Sequence, residues 1–223
     1  MLFDRLQLFD DGTPRNGTQQ MALDETLLGH LHEATLRFYT WSQHAVTFGY
    51  FQSKSEVLTK TNGEPLTRRW SGGGVVFHDG LELTYSLLVP RQSAAARLRP
   101  SVFYEAVHSA IADCLSAAGQ SVWTSQKCEA SRPDLCFQNL AKFDVDSEKG
   151  KLAGAAQRRT RIGIIHQGSI RADSQAQQFL REKLPLRFAD EVLPFKMNPA
   201  FSAEADLLAQ TRYASAEWIN RVP

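Results

Sequence analysis

Cysteine is scarce in this chain, with three residues in 223. An odd, low count gives no paired disulfide framework and fits a reducing compartment. No apolar run approaches the ~20 residues that a transmembrane helix needs. The start, Met1-Leu2-Phe3-Asp4-Arg5, has no basic segment leading into an apolar one, so no secretory leader is read and a cytoplasmic location is expected. A net excess of either charge is missing too. The 25 basic and 24 acidic residues leave a net charge of +1, whereas a general nucleic-acid binder carries a clear basic excess. Neither nucleic acid nor membrane is therefore expected as a partner. No repeat, low-complexity tract or metal-ligand spacing of His, Cys, Asp and Glu stands out, so no metal site is expected.

What is present can build a core: 43% of the residues are hydrophobic, ordinary for a globular protein. Met21, Leu23, Leu27, Leu28 and Leu31 recur near a 3.6-residue period and predict a helix over Thr18–His32. Val102, Ala106, Ala110, Ile111 and Leu115 predict another over Ser101–Ala118. Strands are predicted over Arg5–Phe9, Leu36–Trp41, Ala45–Phe51, Leu66–Trp70, Glu82–Val89, Phe143–Asp146, Lys151–Arg159 and Ile162–Ile170. Short helices are predicted over Lys54–Lys60, Gln175–Lys183, Ala203–Gln210 and Ala214–Val222, while 125–134 reads as a loop and Pro185–Asn198 as irregular. The pattern implies an α+β (mixed α/β) fold, a largely antiparallel mixed sheet with packed helices, and no linker divides residues 1–223.

Two glycine-bearing segments carry the chemistry. The first runs Arg68-Arg69-Trp70-Ser71-Gly72-Gly73-Gly74-Val75-Val76-Phe77-His78, and the second Gly150-Lys151-Leu152-Ala153-Gly154-Ala155-Ala156-Gln157-Arg158-Arg159. Consecutive glycines let backbone N–H groups approach a ligand, and adjacent arginines can neutralise an anion. The bland alternative is a turn that needs φ > 0. Both segments are cationic and rich in small residues, so they are expected on opposite walls of one cleft. Cys136 lies 15 residues before Lys151. A cysteine thiolate can attack an acyl thioester, and a nearby cation favours the thiolate. A buried, inert cysteine is the commoner fate, and Cys114 and Cys128 receive that reading. His78 and His166 read equally as polar pocket walls or as structural groups. Tyr39, Trp41, Phe48, Tyr50 and Phe51 read mainly as core, with a few lining an apolar pocket.

The chain resembles the biotin/lipoate protein ligase superfamily, specifically lipoate-protein ligases and cysteine-dependent octanoyltransferases. The resemblance rests on Met21–Glu25, Leu36–Trp41, Phe48–Gln52, Arg68–Asp79, Gly150–Arg159 and Arg212–Trp218, in the family's order. Cys136-Phe137, at its spacing from Lys151, is similar to octanoyltransferases that form a thioester on cysteine; ATP-dependent ligases carry an Asn-Asp pair there. The triple glycine looks more like the ligases. The stretch between 171 and 211 is shorter than usual, which implies a single catalytic domain with a shortened C-terminal region.

The resemblance implies Cys136 and Lys151 as catalytic residues and Arg69, Ser71, Gly72, Gly73, Gly74, His78, Gly154, Ala155 and His166 as substrate-binding residues. It implies octanoyl or lipoyl transfer from acyl carrier protein to the lysine of a lipoyl domain, in a 2-oxoacid dehydrogenase or glycine cleavage H protein, with no cofactor. The alternatives are an ATP- and Mg-dependent lipoate ligase acting through acyl-AMP, and a non-catalytic acyl or lipoyl-domain binding protein.

Overall fold

The structure, a computed structural model, describes residues 1–126 and 141–221, so Cys128 and Cys136 lie outside the described residues. Strand β1 (Phe3–Arg15) leads into helix α1 (Gly17–His30). Asn16 sets the start of α1: its side chain accepts from the Gln19 N–H while the Gln19 side chain accepts from the Asn16 N–H. Next come β2 (Thr35–Trp41), β3 (Ala45–Phe48), the short α2 (Lys54–Leu58), β4 (Leu66–Arg68), β5 (Val76–His78) and β6 (Glu82–Pro90). A 3₁₀ turn (Ala94–Arg97) precedes α3 (Pro100–Ala117), which is followed by β7 (Val122–Thr124), β8 (Val145–Ser147), β9 (Ala153–Arg159) and β10 (Gly163–Arg171). The chain ends with α4 (Ser174–Phe188), β11 (Ala189–Pro194), α5 (Pro199–Leu208), a π-helical turn (Ala209–Tyr213) and α6 (Ala216–Ile219).

Among the described residues, eight strands form one sheet in the order β11-β1-β2-β6-β10-β9-β8-β7, and three form a second in the order β4-β3-β5. The large sheet is antiparallel except for the two pairings of β1, with β11 and β2. Both of its faces are covered. Leu83, Tyr85, Leu87 and Val89 of β6 join Phe103, Val107 and Ile111 of α3 and Leu180 and Leu184 of α4 on one side. Leu88 and Ile165 join Leu23, Leu27 and Leu28 of α1 and Ala205 of α5 on the other. The period-2 alternation of a strand makes this division, and all nine residues of β6 are buried. Among the described residues, no helix is long and apolar enough to cross a membrane.

Three local readings change. Within Pro185–Asn198 only Phe195–Asn198 is irregular: α4 continues through Pro185, held by the fully buried Leu184 and Phe188, and β11 pairs in parallel with β1. Strand β1 passes through Asp10-Asp11-Gly12 because Asp11 is buried against Arg37. Strand β3 stops at Phe48 because Gly49 receives another backbone: a Cβ there would lie 1.9 Å from the Gly73 carbonyl oxygen.

Candidate active site

The glycine-rich loop between β4 and β5 is pinned by the arginines that precede it. Arg68, fully buried, donates from Nη1 to the carbonyls of Tyr50 (2.8 Å) and Gln52 (2.7 Å), and from Nη2 to those of Ile219 (3.2 Å) and Arg221 (2.8 Å). Arg69 donates from Nη1 to Thr47 Oγ1 (2.9 Å) and from Nη2 to the carbonyls of Gly72 (2.9 Å) and Gly74 (2.8 Å). The sequence suggests that both can neutralise an anion; these bonds serve the protein's own carbonyls and the Thr47 hydroxyl and shape the loop. Gly73 has φ of +86°, which favours glycine. Ser71 donates to Gln167 Oε1 (2.9 Å), and Gln167 Nε2 donates to Asp24 Oδ2 (2.8 Å). Asp24 also accepts from Arg37 (2.7 Å) and Ser86, and Arg37 reaches Asp11 (2.7 Å) and Gln20. This buried chain of bonds fixes the loop against α1 and β10.

A narrow slot separates the two sheets. Arg69, Thr47, Val76 and His78 form one wall; Lys151, Gly154, Ala155, Ala156, Gly168 and Ser169 form the other; Met21, Tyr39 and Trp41 contribute apolar surface. The structure thus brings Arg69, His78, Lys151, Gly154 and Ala155 to one cavity. Ser71 and Gly72–Gly74 act behind the wall through the bonds above.

Lys151 precedes β9 and lies across Gly154. A Cβ on Gly154 would sit 2.4 Å from Lys151 Cε and 2.6 Å from Nζ, so only glycine leaves room. Nζ donates to Asp144 Oδ2 at 2.7 Å. Asp144, fully buried, also accepts from the Tyr104 hydroxyl (2.5 Å) and the Ala141 N–H (2.6 Å). Tyr104 in turn accepts from the Ala155 N–H (3.0 Å). Burial and the adjacent Asp144 push the Tyr104 hydroxyl well above its ordinary pKa, so it remains a donor.

His78 is a polar wall with a fixed tautomer. Thr47 Oγ1 accepts from Arg69, so its own proton turns to His78 Nε2 (2.9 Å); Nδ1–H then donates to Glu82 (2.8 Å). The ring stacks on Trp41 with centroids 3.8 Å apart. Burial lowers the His78 pKa despite Glu82, favouring the neutral ring.

His166 is elsewhere. It is fully buried on the α3 side of β10, beside Tyr85 (Oη to Nε2 3.1 Å), Phe103 and His108, and burial drives its pKa well down. Strand alternation turns His166 away from the slot and its neighbour Gln167 toward it. Of the aromatic set, Tyr39 and Trp41 line the slot, Phe48 is core and Phe51 is exposed. Cys114 is buried in α3, and its thiol pKa is raised by burial.

The family model described as the lipoyl protein ligase A/B catalytic domain matches residues 16–184. The chain belongs to this family. It is 30% identical over 201 residues to an octanoyltransferase LipM of Staphylococcus aureus, covering 83% of this chain and 71% of that protein. Across eight bacterial octanoyltransferases of that description, the chain spans 60–78% of the relative's length. A crystal structure of lipoate-protein ligase A bound with ATP shares the fold at a TM-score of 0.77 and 19% identity, covering 98% of this chain and all of that one. The Thermoplasma acidophilum bi-partite lipoate protein ligase, described with its E2 lipoyl domain, gives a TM-score of 0.64 at 19% identity, covering 100% and 98%.

Several residues that build this member's site escape sequence reasoning. Asp24 and Arg37 are charges inside an apolar helix face and a buried strand, a signal that could have marked them. Gln167 alternates with His166 on β10 and bonds Ser71 and Asp24. Asp144 and Tyr104 meet only through folding: Phe143, at φ of +73°, turns the corner that aims Asp144 at Tyr104 of α3.

Proposed function

We propose that this enzyme moves an octanoyl group from the thioester of acyl carrier protein to the lysine of a lipoyl domain, through a thioester on Cys136. The observation that carries the reading is the Lys151 ammonium laid across Gly154 beside a buried carboxylate, on the wall of a mostly apolar slot. The octanoyltransferase relatives and the Cys136-Phe137 spacing support the transferase over the ligase.

The steps balance without a nucleotide or metal. The Cys136 thiolate attacks the donor's carbonyl carbon; a C–S bond forms, the donor C–S bond breaks, and the donor sulfur leaves as thiolate and takes a proton. The unprotonated acceptor lysine then attacks the enzyme thioester. A C–N bond forms, the thiolate of Cys136 departs, and the amine proton goes to solvent. In both steps the carbonyl oxygen becomes negative in passing, and Lys151 is the group assigned to stabilise it.

The slot has a volume of about 50 Å³, room for only a few water-sized groups at roughly 10–15 Å³ each. An eight-carbon chain enters fully only when a wall side chain swings aside. Met21, an unbranched thioether, has that freedom.

The test is intact-protein mass spectrometry after incubation with octanoyl-carrier protein and no ATP. The expected product is a hydroxylamine-sensitive octanoyl adduct on Cys136, lost in Cys136→Ser and kept in Cys114→Ser and Cys128→Ser. Full activity of Cys136→Ser with strict dependence on ATP would replace this reading with the acyl-AMP ligase.

A further inference from the structure

Charge is unevenly spread in this nearly neutral chain. Between Glu82 and Glu105, and again between Glu148 and Asp173, no acidic residue occurs, and the two stretches hold nine of the 25 basic residues. That leaves 16 basic against 24 acidic residues elsewhere. The fold brings the two stretches together, because β6 and β10 pair along their whole length. At one end, the 3₁₀ turn Ala94–Arg97 packs beside the β9–β10 turn, and the Arg91 N–H bonds to the Ile162 carbonyl (3.0 Å).

An open cleft of about 620 Å³ lies there, lined by Arg91, Arg97, Arg159 and Thr160. Arg159 is anchored by Nη1 to the carbonyls of Ala96 (3.2 Å) and Leu98 (2.9 Å), while its Nη2 is buried without a hydrogen-bond partner. Arg91, Arg97, Arg99 and Arg161 are exposed. Among the described residues, none of these five arginines pairs with a carboxylate. Five uncompensated guanidiniums repel one another, and an anionic partner relieves that.

We propose that this arginine cleft is the docking surface for the acidic carrier protein that delivers the acyl thioester, with the cleft receiving the phosphodiester at the root of its prosthetic arm. The inference rests on the transferase reading above. Two observations fit this donor. Guanidinium forks around a cleft match a phosphate. Strand β9 also joins the two sites directly: Gly154, Ala155 and Ala156 line the slot and Arg159 lines the cleft. At ~3.3 Å per residue, Arg159 lies roughly 17 Å along the strand from Gly154, a distance suited to a thioester on a long flexible arm. Electrostatic docking of this kind acts mainly on encounter and weakens with salt.

The experiment uses the triple variant Arg91→Glu/Arg97→Glu/Arg161→Glu, none of which lines the slot. Binding of fluorescently labelled holo-carrier protein is titrated by anisotropy, and octanoyl transfer is timed with octanoyl-carrier protein and with the neutral thioester octanoyl-N-acetylcysteamine. The expected result is a tenfold or greater rise in Kd and in KM for the carrier-protein donor, with small-thioester turnover within twofold of wild type. Carrier-protein binding that is absent from the wild type, or unchanged in the variant, overturns the proposal. So does a rise confined to the KM of the lipoyl-domain acceptor, or binding of an RNA oligonucleotide that the variant loses while its donor KM is unchanged. Should turnover prove to need ATP, the transferase reading falls, and the binding titration still decides the docking surface by itself.

Discussion

Gly154→Ala separates the chemistry of this site from the stability of the fold. The added Cβ would fall 2.4 Å from Lys151 Cε and 2.6 Å from Nζ, against an ordinary contact of roughly 3.5–4.0 Å. The end of the lysine must therefore retreat by at least about 1 Å. Its bond to Asp144 is 2.7 Å long, so a retreat of that size takes it beyond hydrogen-bond range. What moves is the far end of a flexible side chain, and the backbone at Gly154 is not in the left-handed region. The fold loses one charge-assisted bond, ~1.5–3 kcal/mol, while the ammonium stays near enough to spare Asp144 the penalty of a lone buried charge; the loss is offset by ~0.4–1 kcal/mol from the stiffer unfolded chain. For a chain of this size that is a fall in Tm of a few degrees. The rate should suffer far more. Loss of one oxyanion contact costs ~2.7–4 kcal/mol, on the order of 10²–10³ in kcat. Stopped-time assays of octanoyl-lipoyl domain, read beside thermal unfolding, should show kcat down at least about 100-fold with KM for the donor little changed. A variant within threefold of wild-type kcat would refute the idea that the placement of Lys151 matters.

Met21→Ala opens the slot, and each further buried methylene is worth ~0.8 kcal/mol. Its kcat/KM ratio for decanoyl over octanoyl donors should rise by roughly tenfold, measured in competition. His108 supplies a pH dependence. Burial holds its folded pKa at about 4, though Asp144 and the Phe143 carbonyl favour the cation, whereas an unfolded histidine titrates near 6.5. Above pH ~6.5 both states are neutral and the residue contributes nothing; from there down to pH ~4 only the unfolded state gains the proton, so about 3 kcal/mol of stability is lost on acidification. Urea unfolding should show a shallower loss between pH 7 and 4 in His108→Gln than in the wild type, and parallel curves would contradict the assignment.

How far the fold could be read depended on whether its information was local. The stripe of α1, the run of α3 and the pair β9–β10 were legible from spacing, because runs of apolar or small residues mark elements of this length without help from distant partners. β11 was not, since its strand identity comes from pairing with β1, more than 180 residues away in sequence. In the site, Lys151, Gly154 and Ala155 were legible because a cation among small residues implies something packed closely against them. That His166 stayed open between pocket wall and structural group has a physical origin. Both faces of β10 are buried, so hydrophobic alternation gives no sign of which face meets the slot. That choice is made by the layer above each face: α3 over His166 and α1 over Gln167. Asp144 left no trace in the sequence, since its partners come from α3, the segment at Ala141 and Lys151.

The division of labour between the two kinds of cation in this site gives a last test. Arg68 and Arg69 use planar forks to gather carbonyls, a task that suits a guanidinium and fits an ammonium poorly. Lys151 is placed as a point charge, with its last two atoms flat against Gly154 and its head on Asp144. Lys151→Arg keeps the charge but adds two heavy atoms at that end, beside a slot of only about 50 Å³. The fork can still pair with Asp144, so the buried carboxylate keeps a cation and the large penalty for stranding it, ~3–5 kcal/mol, is avoided. The carbonyl contact is not kept, because the charge is spread over a plane and its centre is displaced. Lys151→Arg should therefore unfold within a few degrees of wild type yet transfer octanoyl on the order of 10²–10³ times more slowly, close to Lys151→Ala. Activity above a tenth of wild type would show that charge alone suffices, and that the fit of Lys151 over Gly154 serves packing rather than catalysis.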